Sequence, residues 1–183
     1  VFGNKGVAIL NRDDPAVMAL LPQTEVATVP AAGKKTAQPA KVPARRRVSF
    51  GCGIPQRAGD FGLETVNGMT WLVRAVADET HIRPRKDASA SPAVQLQRLM
   101  PADALRIRGR HNACNALAAL ALASETGAAL APMLYGLREY RGEAHRVEPV
   151  GVINGVEYFD DSKGTNVGAA LAALRGLGVE RKL

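Results

Sequence analysis

The sequence predicts an α/β fold, a mixed sheet with helices, for three reasons. Short runs rich in aliphatic and β-branched residues indicate buried strands. Two Ala- and Leu-rich stretches have the length and composition of helices. The dipeptide Asn154-Gly155 separates two apolar runs, which is the strongest short-range signal of a β-hairpin. With 183 residues, 46% hydrophobic and 22% charged, the chain can bury a core without disulfides, and its composition excludes a disordered or coiled-coil protein.

The first part of the chain alternates predicted strands with one short helix. Residues 7–10 form an apolar run that predicts a buried strand. A helix should follow to about Leu21, with Asp14 as its N-cap and Pro15 at its first position, where proline loses no hydrogen bond. Two more strands are predicted at residues 47–51 and 69–76, the second within a longer β-rich stretch.

The second part predicts two helices, a hairpin and a third helix. The strongest helix follows Gly109 and ends near Gly127, and a further one runs from Pro132 to about Arg138. Strands at residues 147–153 and 156–159 flank the Asn-Gly turn, and a polar loop then leads to a helix over residues 167–177. A strand, a polar loop with glycine and a helix N-terminus together favour anion binding.

The net charge of +7 is concentrated in one basic segment, residues 34–47. This segment holds six basic and no acidic side chains, whereas the rest of the chain carries 18 basic and 17 acidic ones. It is rich in Pro and Ala and lacks the aromatic residues that nucleic-acid binders interleave with basic ones. We therefore expect a solvated surface insertion and no nucleic-acid partner, with a polyanion contact as the alternative.

Cysteine content and hydropathy indicate a cytoplasmic location. Cys52 and Cys114 are far apart in sequence, which predicts neither a disulfide scaffold nor a CxxC zinc site. The longest apolar run, residues 116–123, is too short for a membrane span, so we expect no membrane partner. No signal-peptide pattern follows Val1, and the missing initiator Met suggests a fragment.

Several polar residues at the start of the strongest helix and before the hairpin are candidates for ligand contacts. Asn112 and Asn115 are three residues apart and share a helix face, from which they can offer amide donors and acceptors to a planar ligand. Alternatively, Asn112 caps the helix. His111 can contact a ligand or pack, and Arg146 can bind a phosphate or form an exposed ion pair with Glu148.

The loop at residues 160–166, DDSKGTN, follows a strand at the position where open α/β sheets bind ligands. A carboxylate here can bind ribose hydroxyls and Lys163 can bind an anion. The alternatives are a helix cap by Ser162 or Thr165, a triad of Ser162, His145 and Asp161, and an aspartyl phosphate at Asp160 or Asp161. Neither GxxxxGK[ST] nor GxSxG occurs in the chain.

Three stretches, GRHNACNALAALALA, GEAHRVEPVGVINGVEYFDDSKGTN and the helix after them, together resemble the Mur ligase family of peptidoglycan synthesis. NRDDPAVM and RVSFG resemble the family as well, and the DSKGTN loop is similar to that of its D-glutamate-adding branch. The resemblance implies that residues 1–142 are the later part of a central ATPase domain, with residues 34–47 as an insertion. Residues 143–183 would be the first hairpin and helix of a Rossmann-like C-terminal domain.

The resemblance also implies ligands and residue roles. ATP, Mg²⁺, UDP-N-acetylmuramoyl-L-alanine and D-glutamate would be bound, with an acyl phosphate as intermediate. The P-loop and the metal ligands belong outside this chain, which should be inactive alone and carries no assigned catalytic residue. The implied contacts are Asn112 and Asn115 to adenine, Arg146 with His145 to phosphate, Asp161 to ribose, and Lys163 and Thr165 on the D-glutamate side. The sequence departs from the family at Asp160, usually Asn, and at Glu143-Ala144, usually Leu-Pro.

Overall fold

The computed structural model describes residues 6–21, 46–78 and 93–177. Most of the basic segment, residues 34–45, lies outside these ranges, as does most of the polar stretch after Asp78. Among the described residues the fold is α/β, as predicted, but the strands form three small sheets rather than one mixed sheet. No helix in the described ranges is both long and apolar enough to cross a membrane.

The first sheet is a parallel pair. Strand β1 is Ala8–Asn11 and strand β2 is Arg47–Phe50, with Ile9 opposite Val48. Helix α1, Pro15–Ala19, follows β1 and is shorter than predicted. The predicted cap is confirmed, because the Asp14 carboxylate accepts hydrogen bonds from the N–H groups of Ala16 and Val17 at 2.9 and 3.3 Å.

The second sheet is an antiparallel meander. It contains β3 (Phe61–Val66), β4 (Met69–Ala77) and β5 (Val94–Pro101), in that order. Only β4 was predicted as a separate strand. The turn between β3 and β4 is Asn67-Gly68, with φ angles of 51° and 79° at its two residues.

Helix α2, Arg110–Ser124, carries the core. Its buried face, which includes Leu117 and Leu120 at 0% and 1% exposure, packs against Leu72 of β4 and Phe61 of β3. Helix α3, Leu130–Glu139, lies beside α2. Small residues on α2, such as Ala113, let the sheets approach closely.

The third sheet is the predicted hairpin. Strands β6 (Glu148–Ile153) and β7 (Val156–Asp160) are joined by Asn154 and Gly155, which have φ angles of 50° and 79°. Helix α4, Val167–Gly176, follows and contacts α2. The end of α4 lies against the start of α2, where Gly176 meets Gly109 and His111, and this contact positions the candidate site.

Candidate functional site

The two asparagines lie in the first turns of α2, on one face, as their spacing predicts. The helix begins directly after Gly109, as predicted, and Gly109 is its N-cap residue, with φ of 101°. The interpretation of Asn112 as the cap is therefore wrong. Instead its Nδ2 donates to the carbonyl of Arg108 at 2.8 Å, and its Oδ1 lies 3.4 Å from Nδ2 of Asn115.

Asn115 borders a groove between α2 and α3, which we call the α2–α3 groove. The groove has a volume of about 440 Å³, within the range of small-molecule pockets. Its walls are small and apolar: Ala116, Ala119, Ala123, Met133, Gly136 and Leu137. Apolar walls with an amide at one edge suit a planar heterocycle, since the ring is desolvated while the amide hydrogen-bonds its edge.

Tyr140, at the end of α3, belongs to the same groove. Tyr140 lines it and donates its hydroxyl to Glu143 at 3.0 Å. Desolvation and this hydrogen bond raise the pKa of Tyr140, and the nearby charge of Arg146 opposes the rise. Sequence reasoning missed Tyr140, because only the tertiary fold brings α3 and its C-terminal end over α2.

The Arg146 guanidinium forms no ion pair with any other residue in the described ranges. The predicted pair with Glu148 is therefore wrong, and Glu148 instead accepts a hydrogen bond from the backbone N–H of His145 at 2.9 Å. The side chain is exposed. An exposed, uncommitted guanidinium is suited to bidentate phosphate binding.

His145 and Asp160 form an ion pair at the base of the loop. Nδ1 of His145 lies 2.7 Å from Oδ2 of Asp160, and His145 has a positive φ of 65°. The pair raises the pKa of His145 and lowers that of Asp160 to about 2, with further hydrogen bonds from Ser162 to Asp160. The imidazole of His145 pairs with Asp160, not Asp161, and the backbone N–H of Ser162 also donates to Asp160 at 2.9 Å. The triad of Ser162, His145 and Asp161 is therefore wrong.

Asp161 connects the hairpin base to the loop. Its Oδ1 accepts from the N–H of Val147 at 3.2 Å, and its carbonyl accepts from the N–H of Gly164 at 2.8 Å. A Cβ atom on Gly164 would come within 2.5 Å of the Asp161 Oδ2, so glycine is needed for the loop to fold beside this carboxylate. The backbone N–H of Lys163 donates to the carbonyl of His145 at 3.1 Å, and this bond joins the loop to the segment before β6.

Helix α4 begins directly after the loop. Its N-cap is Asn166, whose side chain accepts from the N–H of Ala169 at 2.8 Å. The predicted caps, Ser162 and Thr165, are therefore wrong. Lys163 and Thr165 are exposed just before the first turn of α4.

His111, in the first turn of α2, contacts the end of α4. Its ring packs against Gly176 at the end of α4, where a Cβ would come within 2.1 Å of Nδ1. Burial lowers the pKa of His111, and the charge of Asp161 partly opposes this. Arg108 also forms an ion pair with Glu157 of β7 at 2.6 Å. The charge of Asp161 thus acts on His111 at the start of α2, and the charge of Arg146 acts on Tyr140 at the α2–α3 groove.

The α/β fold, the asparagine pair of α2 and the DDSKGTN loop are the features by which the sequence resembles the Mur ligases, and comparison with known proteins supports that class. No protein-family model matches the chain. The chain is 62% identical over its whole length to the UDP-N-acetylmuramoylalanine--D-glutamate ligase of Albidiferax ferrireducens, and covers 34% of that relative. It is 61% identical over its whole length to the Polaromonas enzyme of the same name and covers 29% of it.

The corresponding Burkholderia mallei ligase is 50% identical over 97% of the chain, which covers 34% of it. The chain belongs to the Mur ligase family. Within that family it is similar to the D-glutamate ligases, as the loop sequence indicates. It spans about a third of the length of the curated relatives it matches.

Proposed function

We propose that this chain is a segment of a cytoplasmic, ATP-dependent ligase that joins D-glutamate to UDP-N-acetylmuramoyl-L-alanine in peptidoglycan precursor synthesis. The observation that carries the proposal is identity of 62% and 61% along the entire chain to two ligases of that name. Residues 1–142 would be the later part of the central ATPase domain, and residues 143–183 the start of the C-terminal domain.

The nucleotide would bind where the two regions meet. Adenine would enter the α2–α3 groove and hydrogen-bond Asn115, with Asn112 holding the Asn115 amide in place. Arg146 would bind phosphate from its exposed position beside the groove, supported by the ordered backbone at His145. Asp161 would accept hydrogen bonds from the ribose hydroxyls, because its carboxylate has only one described hydrogen bond, that from Val147.

The reaction would proceed by activation of a carboxylate. The γ-phosphoryl group of ATP would pass to the alanine carboxylate, and the D-glutamate amine would displace phosphate from the acyl phosphate to form the amide. Mg²⁺ would neutralise phosphate charge, held by residues outside this chain. Lys163 and Thr165, exposed before α4, would face the D-glutamate, whose carboxylates favour a cation and a helix N-terminus.

The two described residues of the basic segment, Arg46 and Arg47, have structural roles. Arg46 forms a two-pronged hydrogen-bonded pair with Glu125, at 2.7 and 3.0 Å. Arg47 belongs to β2. Deleting residues 34–45 should therefore leave nucleotide-linked function intact.

A chimeric ligase tests the proposal. This chain would replace the matching segment of the Albidiferax ferrireducens relative, and phosphate release would be measured with UDP-N-acetylmuramoyl-L-alanine and ATP. We expect release that depends on D-glutamate and is not stimulated by L-glutamate. A folded chimera that prefers another amino acid would contradict the D-glutamate proposal, and a folded chimera that binds no ATP would contradict the nucleotide site.

A further inference from the structure

The two cysteines, 62 positions apart in sequence, come together in the fold. Cys52 follows β2 and Cys114 lies in the second turn of α2. One ligand atom from each of Cys52, Cys114 and Asp13 lies within 4.8 Å of the other two. Both cysteines are free thiols. The sequence contains no CxxC zinc motif, but the fold brings the two distant thiols together.

The position of this thiol cluster, Asp13, Cys52 and Cys114, is typical of a ligand site. Asp13 and Cys52 come just after the parallel strands β1 and β2, so both lie at the carboxyl edge of that sheet, with α2 beside it. The Asp13 carboxylate is fixed there, since its Oδ2 accepts from the N–H of Cys52 at 2.5 Å. Such a bond to a ligating carboxylate orients it, as in many protein metal sites.

We propose that Asp13, Cys52 and Cys114 bind a thiophilic divalent cation of the zinc class, with a fourth position open to water. In tetrahedral zinc sites the ligand atoms are about 2.0–2.3 Å from the metal, and hence roughly 3.3–3.8 Å from one another, which the cluster reaches with small movements. Thiolate ligands select such soft cations over Mg²⁺. The cation would join β1, β2 and α2 at one point.

The surroundings allow a cation to enter the cluster. Asp13 is exposed, and Cys52 lines an open cleft of about 1240 Å³. Burial and the neighbouring Cys52 raise the pKa of Cys114, so binding must displace its proton. The Arg12 guanidinium opposes that rise, and it is itself held by the carbonyls of Phe61 and Gly51.

Cadmium titration of the chain under a phosphine reductant tests the proposal. Cadmium bound to thiolate has an ultraviolet charge-transfer band, and the sequence contains only these two cysteines. We expect one cadmium per chain and a band that saturates at that ratio. The absence of the band while both thiols remain free by thiol titration would overturn the proposal.

Variants locate the site. Cys52→Ser and Cys114→Ser should each weaken cadmium binding and reduce the band, and Asp13→Asn should retain both thiols but weaken binding by about tenfold or more. Asp103→Asn, which removes an exposed carboxylate that lines the same cleft as Cys52 but is not part of the thiol cluster, is the matched control and should bind as the parent does. If a serine variant fails to fold by circular dichroism, the Asp13→Asn result decides: unchanged affinity there would show that the carboxylate is not a ligand and overturn the three-residue site.

Discussion

The region up to Gly142 and the hairpin–helix region, residues 148–176, differ in how they are held. In the first, Leu72 and Leu117 are completely buried in a shared core. In the second, Ala173 is the only buried residue among those described, while Val152 and Val167 are 66% and 85% exposed. The candidate site therefore depends on a packed core on one side and on hydrogen-bonded loops on the other. A two-stranded hairpin gains little stability of its own.

Truncating a leucine in each region should give the largest contrast. Leu117→Ala removes a fully buried side chain and should lower the free energy of unfolding by about 2–5 kcal/mol. Leu174→Ala, on a side chain that is 59% exposed, should change it by less than about 0.5 kcal/mol. Urea unfolding measures both, and equal losses would show that the two regions share one core.

The contact between the regions can be broken at Gly109. Gly109→Ala adds strain at a φ of 101° and places a Cβ 2.9 Å from the carbonyl oxygen of Gly176, so a loss of about 1–3 kcal/mol is expected, with weaker packing of α4 on α2. Gly127→Ala is the matched control, because its φ is 80° but no atom lies within 4 Å of the added Cβ. Hydrogen exchange in α4 should accelerate for Gly109→Ala alone; equal acceleration in both variants would contradict the contact.

The helix cap after the loop is a smaller, local test. Asn166→Ala removes the acceptor for the N–H of Ala169 and should lower the free energy of unfolding of α4 by about 1 kcal/mol. Thr165→Ala, one residue earlier, caps nothing and should have little effect on α4. Native-state hydrogen exchange of the first turn of α4 measures both, and the opposite ranking would restore Thr165 as the cap.

The two adjacent aspartates should act on different histidines. Asp160→Asn should lower the pKa of His145 towards its ordinary value, whereas Asp161→Asn should lower that of His111 further below it. Nuclear magnetic resonance titration of the imidazole protons measures both. A shift of both histidines by one variant, or of neither, would contradict the separate roles of the two carboxylates.

The ion pair between His145 and Asp160 makes the stability of the hairpin base depend on pH. The pKa of His145 is raised, so its contribution to stability is complete below about pH 6.5 and is lost as pH rises through the raised value. The pKa of Asp160 is lowered to about 2, so its contribution is present above about pH 4 and is lost as pH falls towards 2. The pair therefore stabilises the hairpin base most between about pH 4 and 6.5, and the protection of its amides, after correction for the intrinsic pH dependence of exchange, should be greatest in that range.

The sequence predicted those elements of the fold that depend only on neighbouring residues. Asp14 and Pro15 start α1, and Asn154-Gly155 forms the hairpin turn, because each depends on neighbouring residues alone. The Asn67-Gly68 pair carries the same signal and would also have predicted the β3–β4 hairpin. Strand β5 has no such turn dipeptide before it. Its pairing with β4 is also interrupted by a bulge between Leu72 and Val73, which a residue count would not predict.

Contacts between distant segments could not be predicted. Tyr140 reaches the α2–α3 groove, and His111 meets Gly176, only after the helices have packed. The pairing of His145 with Asp160 follows from the hairpin register, in which Glu148 lies opposite Asp160. A bulge between Pro149 and Gly151 shifts that register, so counting residues from the turn is not enough.

Binding of a non-hydrolysable ATP analogue to the chimeric ligase, measured by calorimetry, tests the central claim that both regions bind one nucleotide. Asn115→Ala in α2 and Asp161→Asn in the loop should each weaken binding roughly 10- to 100-fold, through loss of a hydrogen bond from each region. Gln97→Ala on β5, outside the site, should bind as the parent does. If Asn115→Ala and Asp161→Asn bind the analogue as tightly as the parent, the nucleotide does not lie where the two regions meet.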